Sequence, residues 1–203
     1  LNNEAWNSIQ FQNANNSVRI PDEFMRAVEN NGEWKTKYII SGEVAETYKA
    51  KDLLLEIAKA AWECGDPGVQ FDTTINEWHT CPASGRINAS NPCAEYMHLD
   101  DSACNLASIN LLKFLREDGS FMLREFKQAV DVFILAQEII VDGSSYPTEK
   151  IGQSAHDFRE LGLGFANLGA LLMTKGLPYD SDAGRAWAGA LSSALSGEAY
   201  RYS

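Results

Sequence analysis

The chain has 203 residues, of which 45% are hydrophobic and 22% charged, which is enough apolar content to bury the core of one domain. Its formal net charge of −11 argues against a nucleic-acid surface, which needs clustered Lys and Arg, although one small anionic nucleotide could still bind. The sequence has no signal peptide, no long apolar run and no secreted-type cysteine framework. We therefore expect a cytoplasmic protein with reduced thiols and no membrane association.

The first half of the chain predicts short strands that alternate with helices. Residues 8–20 are rich in β-branched and aromatic side chains and predict a strand or the edge of one. Helices are expected over 22–30 and 52–64, and Gly65 is placed to end the second. The stretch "GVQFDTTINEW" (68–78) predicts a short buried strand that runs into a turn or helix.

The second half of the chain continues the alternation. Residues 103–111, "ACNLASINL", form a nearly continuous run of small and apolar residues, which is typical of a strand covered on both faces. Apolar spacing predicts helices over 123–141 and 158–175, and we attribute the glycines of "GLGFANLG" in the latter to close helix packing. Ser181 or Asp182 is expected to cap a last helix. This alternation predicts the α/β class.

The stretch "NPCAEYMHLDDSACNLASINL" (91–111) carries the chemistry. Pro92 excludes a helix interior and favours an extended conformation at Asn91, so the segment is expected to be a loop or an edge. Alternate side chains of an extended chain share a face, so Asn91, Cys93 and Glu95 are expected to point the same way. An amide, a thiol and a carboxylate around one small volume are typical of an active site.

Three other interpretations of these residues stay open at this point. An isolated cysteine is most often a small buried hydrophobic residue. A non-catalytic zinc or thiol-binding module is a second alternative, although no closely spaced ligand pair fixes the metal. A thiol nucleophile activated by a histidine is a third, but no protease signature surrounds Cys93. The residues that could bind zinc are His79, Cys81, Cys93, His98 and Cys104.

The segment "GRINASNPCAEYMHLDDSACNLASINLLKF" resembles the catalytic segment of ribonucleotide reductase large chains, marked by Asn-Pro-Cys-x-Glu and then Cys-Asn-Leu-x-Ser-Ile-Asn-Leu. Four collinear stretches resemble the adenosylcobalamin-dependent class II branch in particular: "SIQFQNANNSVRIPDEFM", "GDPGVQFDTTINEWHTCPASGRI", "SSYPTEKI" and "FRELGLGFANLGALLMTKGLPYDSDAGRA". The resemblance therefore runs along the whole chain. The di-iron class I large chain, which shares the Cys and Glu pattern, is the alternative.

The resemblance implies a fold and an extent. The family fold is a ten-stranded α/β barrel with a radical cysteine on a central loop. Residues 1–203 would be an internal fragment of this one catalytic domain, without the N-terminal allosteric region, the C-terminal half of the barrel and the tail. We expect a fragment also because the chain begins at Leu1 without Met and stops at Ser203 inside a helical pattern.

The resemblance also assigns roles in the reduction of ribonucleotides to 2′-deoxyribonucleotides. Cys93 would be the thiyl radical that removes the 3′ hydrogen of the ribose, and Glu95 the general base for the 3′-hydroxyl. Asn91 would hold the 2′ and 3′ hydroxyls. Cys104 would be one of two reducing thiols that end as a disulfide. Its partner would precede the chain, and the thiols that reduce this disulfide would follow it.

Other polar residues and the partners follow from the same resemblance. Gln12, Asn13 and Arg19 are candidate nucleotide-binding residues, with polar residues on a strand edge as the alternative. Cys64 and Cys81 are expected to be structural. The enzyme would be an adenosylcobalamin-dependent ribonucleoside-diphosphate reductase that docks its cofactor by surface complementarity, without a cobalt ligand from this chain. It would use a nucleotide effector and a dithiol reductant such as thioredoxin, and it would form a homodimer.

Overall fold

The structure, a computed structural model, describes residues 8–10 and 13–203 and divides into two compact units, one ending at Asp100 and one that begins at Asp101. Both units combine helices with paired strands, which confirms the mixed α/β class. Every sheet of the described residues has two strands. None of the helices in this described part combines the length and apolar character needed to cross a bilayer.

The first unit is built around one parallel strand pair and one hairpin. Its elements are β1 (Ser17–Ile20), α1 (Asp22–Glu29), β2 (Glu33–Lys37), β3 (Val44–Lys49), α2 (Ala50–Cys64), β4 (Gly68–Phe71) and α3 (Asp72–Glu77). Strands β1 and β4 pair in parallel, with Ser17 opposite Gly68, and β2 and β3 pair antiparallel. Buried Ile20, Phe24 and Ala50 form a small core between β1, α1 and α2.

The predicted helices of the first unit are confirmed within two residues, and Gly65 ends α2 with a left-handed φ of 84°. The strand expected over 8–20 is confined to β1. Strand β4 exists, but its predicted burial is wrong, because Val69 and Phe71 are 41% and 52% exposed whereas Gln70 is only 5% exposed. The hairpin β2–β3 was not predicted, because its charged residues give no apolar alternation.

The second unit packs a parallel strand pair against helices. Its elements are β5 (Cys104–Asn110), α4 (Leu123–Gly143), α5 (Glu149–Phe158), β6 (Glu160–Ala166), α6 (Leu168–Thr174) and α7 (Asp182–Tyr202). Strands β5 and β6 pair in register from Cys104 opposite Glu160. The core side chains are Ile109, Leu111, Phe126, Val130, Ile134, Leu171, Leu191 and Leu195. Ser181 caps α7 as predicted, accepting a hydrogen bond from the Gly184 N–H at 3.0 Å.

The helix predicted over 158–175 is wrong in its first half, and beyond Phe158 only Leu168–Thr174 of that range (α6) is helical. Helix α5 ends at Phe158, Arg159 adopts a left-handed φ of 54°, and the chain continues as β6. The apolar residues that pack toward the core are Leu161, Leu163 and Phe165, with glycines between them. This spacing has period two, and a Cβ on Gly162 would lie 2.3 Å from the Leu106 side chain. Gly162 therefore allows close strand packing rather than helix packing, whereas Gly164 faces open space.

Strand β5 is also less covered than predicted. Ile109 is 3% exposed and faces the core, whereas Leu106 is 68% exposed on the opposite face. Within this unit, only one face of β5 is covered, and Cys104 shares the other face with Leu106 because alternate residues of a strand point the same way.

Candidate functional site

Cys93 lies at the tip of a short loop, Ser90–Met97, which we call the Cys93 loop. Ser90 and Met97 form an antiparallel bridge at its base. The Asn91 carbonyl accepts the Ala94 N–H at 3.1 Å, and the Asn91 side-chain oxygen accepts the Tyr96 N–H at 2.9 Å. These bonds close a tight turn that leaves Cys93 and its neighbour Glu95 exposed.

The loop predicted as one alternative for this segment is confirmed, whereas the extended conformation expected over residues 91–95 is wrong. Residues 91–94 form a hydrogen-bonded turn, and Ala94 has a φ of 64°. The fixed φ of proline suits the second position of a β-turn as well as an extended chain, and here Pro92 occupies that turn position. Alternation therefore does not bring Asn91, Cys93 and Glu95 onto one face. Asn91 is half-buried and braces the turn, whereas Cys93 and Glu95 are displayed at its tip.

Arg19, a candidate nucleotide-binding residue, lies in a hydrogen-bond network behind this loop. Its Nε donates to Asp72 at 2.7 Å, Nη1 donates to the Gln70 side-chain oxygen at 3.0 Å, and Nη2 donates to the Ile87 carbonyl at 2.9 Å. The Arg86 guanidinium also pairs with Asp72. This network gives Arg19 a structural task, while its contact with a nucleotide stays a prediction.

A polar recess of about 300 Å³ adjoins the network and brings two of the predicted residues together. Arg19 and Asn91 both border it, together with Gln70 and Ser90. Asn13 is exposed elsewhere on the chain, and Gln12 lies outside the described residues. Of the two candidate nucleotide-binding residues that the structure describes, Arg19 is thus the one that shares a recess with Asn91.

Cys104 lies in the second unit as the first residue of β5. It is half-buried and lies opposite Glu160, whose two carboxylate oxygens are buried from solvent. A Cβ on Gly162 would lie 3.3 Å from the Cys104 sulfur, so this glycine leaves room beside the thiol. Cys104 is therefore held on a regular strand, in contrast to the turn that carries Cys93.

The start of β6 is anchored by charge. Arg159 donates to Glu138 at 2.5 Å and to Asp142 at 2.9 Å, both on α4. Its hydrogen bond lowers the pKa of Asp142 below the ordinary aspartate range, and the same bond raises the pKa of Arg159. The residue that precedes Glu160 is thus fixed to the helix on which β6 packs.

Cys81 contacts two of the histidines that the sequence grouped with it as possible zinc ligands. Its sulfur lies 3.6 Å from His98 Nε2 and 4.0 Å from His79 Nδ1. Within the described part of the chain, no group of three or more His, Cys, Asp or Glu residues is arranged to hold a metal ion. The contact nevertheless distinguishes Cys81 from Cys64, which is exposed at the end of α2 with its sulfur 3.2 Å from the Ala60 carbonyl.

A family model described as the ribonucleotide reductase barrel domain matches residues 2–203. The chain belongs to the ribonucleotide reductase family. The match covers both units and includes the Cys93 loop and the β5–β6 pair, as the motifs of the sequence predicted.

Curated ribonucleotide reductases match the chain along its length. A vitamin B12-dependent ribonucleotide reductase of Rhodopirellula baltica is 58% identical over all of this chain and 20% of its own length. The enzyme of that name from Streptomyces clavuligerus is 54% identical over all of this chain and 22% of its own. A vitamin B12-dependent ribonucleoside-diphosphate reductase of Mycobacterium tuberculosis H37Rv is 37% identical over 88% of this chain and 25% of its own. The chain thus spans about a fifth to a quarter of these relatives.

Two residues that lie near the Cys93 loop in the structure were not identified from the sequence. Gln70 is the one inward-facing residue of β4, and Ser90 precedes Asn91 at the base of the Cys93 loop. A polar residue in the middle of the apolar stretch "GVQF" was the available signal, since a buried amide must find partners. The sequence could not identify those partners, because Ser90 lies 20 residues further along the chain.

Proposed function

We propose that this chain is part of a vitamin B12-dependent ribonucleotide reductase, in which Cys93 carries the thiyl radical that starts the reduction of a ribonucleotide. The observation that carries the proposal is the display of exposed Cys93 and Glu95 at the tip of a hydrogen-bonded turn. The relatives are vitamin B12-dependent ribonucleotide reductases, which supports the cobalamin-dependent branch over the di-iron branch. The finer architecture proposed is the ten-stranded barrel of the family, with this turn as its central loop.

The exposed thiol fits a bulky cofactor that has to approach it from outside the loop. Beside the tip is a recess of about 480 Å³ lined mainly by apolar residues, among them Trp78, Ala94 and Met97. In the proposal, this recess receives apolar surface of adenosylcobalamin. The cofactor supplies the one-electron chemistry that converts the Cys93 thiol into a thiyl radical.

The residues of the Cys93 loop then have separate tasks. The Cys93 sulfur takes the 3′ hydrogen atom of the ribose and later returns it. Glu95 accepts the proton of the 3′-hydroxyl as general base, and the 2′-hydroxyl takes a proton from one of the two reducing thiols and leaves as water. The Asn91 side-chain oxygen is used by the Tyr96 N–H, so orientation of a ribose hydroxyl falls to its amide nitrogen.

Two electrons complete the reduction, and Cys104 supplies one of the two thiols that give them. These thiols end as a disulfide, which has to be reduced in every turnover. The proposal therefore includes a dithiol reductant such as thioredoxin and a cytoplasmic location, where thiols stay reduced. By the same family resemblance, it extends to diphosphate substrates, a nucleotide effector and a homodimer.

The test is Cys93→Ser in the full-length enzyme. Serine keeps the size and hydrogen bonding of the residue but cannot carry a thiyl radical, so ribonucleotide reduction is expected to fall to background. Nucleotide binding, measured by equilibrium dialysis, is expected to stay within about twofold, because the turn is held by backbone groups and Asn91. Cys64→Ser, at an exposed helix end, is the matched control. Appreciable turnover by Cys93→Ser would contradict the proposal.

A further inference from the structure

We propose that Gln70 and Ser90 are positioning residues, which hold the Cys93 loop in its reactive shape through a hydrogen-bond chain that starts at β1. This inference rests on the proposed function, because the reactive shape is the one that presents Cys93 for the proposed reaction. The chain itself is a matter of geometry, and each link has a donor, an acceptor and a distance.

The first link joins two strands. Arg19 on β1 donates to the Gln70 side-chain oxygen on β4 at 3.0 Å, while its other donors engage Asp72 and Ile87. Because the oxygen of Gln70 accepts from Arg19, the orientation of its amide is fixed. The amide nitrogen of Gln70 must then point away from Arg19.

The second link crosses from β4 to the loop. Gln70 Nε2 donates to the Ser90 hydroxyl oxygen at 2.6 Å, and that hydroxyl donates to the Asn91 carbonyl at 2.7 Å. A hydroxyl has one proton, so accepting from Gln70 leaves that proton directed at Asn91. The Asn91 carbonyl is the same oxygen that accepts the Ala94 N–H and closes the turn under Cys93.

The groups that form this series of hydrogen bonds are largely buried, so water does not readily replace them. Gln70 is 5% exposed and the Arg19 side chain is 17% exposed. Leaving a buried polar group without a partner costs more free energy than forming its hydrogen bond gains. The groups therefore hold one another in place. Strand β4 buries the Gln70 amide and exposes Val69 and Phe71, whereas a strand ordinarily buries its apolar side chains. This reversal supports a specific task for Gln70.

Positioning at this level matters for a radical transfer. A displacement of about 1 Å can cost a reaction about 100-fold in rate when the reacting atoms must be aligned. The hydroxyl of Ser90 does not need to touch the substrate to exert this effect. It acts through the Asn91 carbonyl and the turn that carries Cys93.

The experiment uses the full-length enzyme with Ser90→Ala, Ser90→Thr and Gln70→Glu. Ser90→Ala removes the hydroxyl. Gln70→Glu keeps an acceptor for Arg19 but cannot donate to Ser90, so the Ser90 hydroxyl is no longer directed at the Asn91 carbonyl. Threonine retains the hydroxyl and is the rescue variant. Ser192→Ala, exposed on α7, is the matched control.

Two readouts are made on each variant. Hydrogen–deuterium exchange at the Ala94 and Tyr96 amides is expected to rise roughly five- to tenfold in Ser90→Ala and Gln70→Glu, the size of one lost hydrogen bond. The turnover number is expected to fall about tenfold or more, with KM within about twofold, because alignment rather than binding is lost. Ser90→Thr is expected to restore both values, and Ser192→Ala to change neither.

Unchanged exchange in the loop of Ser90→Ala would overturn the inference, as would faster exchange with an unchanged turnover number. A loss expressed in KM alone would overturn it too. If the wild-type enzyme did not reduce ribonucleotides, the proposed function would fail, and loop exchange alone would still decide whether Gln70 and Ser90 hold the turn.

Discussion

Glu95 is separated from Cys93 by one residue, and both side chains are exposed at the same tip. The polar groups of Asn91 hold this arrangement by accepting hydrogen bonds from the backbone of the Cys93 loop. The carbonyl closes the turn, and the side-chain oxygen caps the Tyr96 N–H. A thiol and a carboxylate are thus presented by a loop whose rigidity comes from a third residue of the same motif.

Glu95→Gln in the full-length enzyme tests the general-base role. Glutamine is nearly isosteric with glutamate but cannot accept a proton, so the turnover number is expected to fall by roughly 10²- to 10⁴-fold. Substrate binding is expected to persist, because the amide retains a hydrogen-bond acceptor. Steady-state kinetics with Glu63→Gln, exposed on α2, provides the matched control. A variant that keeps more than about a tenth of wild-type turnover would remove Glu95 from the proton-transfer step.

Helix α4 positions the strand pair that carries Cys104. Gln137 of this helix is 2% exposed, and its Nε2 donates to the carbonyl of Asn105 at 3.1 Å and to that of Gly162 at 2.9 Å. The Asn105 side chain donates back to the Gln137 carbonyl at 3.2 Å. One buried amide therefore joins β5, β6 and α4.

Gln137→Leu is expected to loosen this junction. Leucine fills a similar volume but leaves two strand carbonyls without the amide, at a cost of about 1–3 kcal/mol in local stability. Hydrogen–deuterium exchange over 104–110 and 160–166 is expected to rise in proportion. Gln153→Leu, on the exposed side of α5, makes the same substitution and is expected to leave exchange in these strands unchanged. Equal exchange in the two variants would contradict the role given to Gln137.

At the scale of elements, the sequence predicted what depends on local periodicity and missed what depends on distant partners. Helices α2 and α4 follow from their apolar spacing and, for α2, from Gly65. Strand β6 was misread, because Leu161, Phe165 and Leu168 also fit a helical spacing, and only the pairing of β6 with β5 decides between the two. The turn at Pro92 was misread for a different reason. The groups that close it are local, but the fixed φ of Pro92 suits a turn as well as an extended chain.

The candidate site shows the same division. The motif identified Cys93, Glu95, Asn91 and Cys104 as candidates, and their roles are those proposed above. The buried Gln70 that supports the Cys93 loop could not be connected to it from the sequence, because the link from Gln70 to Ser90 exists only after β1 and β4 have paired.

At the scale of the whole molecule, the residues proposed to be catalytic are distributed over both units. Cys93 and Glu95 come from the unit that ends at Asp100, and Cys104 from the unit that begins at Asp101. These two relatives are roughly four to five times as long as the stretch of each that matches this chain. The second reducing thiol is proposed to lie in that additional length. Turnover is therefore a property expected of the full-length enzyme.

The most direct test of the central claim is anaerobic reduction of a ribonucleotide by the full-length enzyme with a dithiol, with and without adenosylcobalamin. The account predicts deoxyribonucleotide formation only when the cofactor is present, no requirement for an iron-bearing subunit, and no product from Cys93→Ser under the same conditions. Activity that ignores adenosylcobalamin and arises on addition of a di-iron partner would contradict the account and place the enzyme in class I.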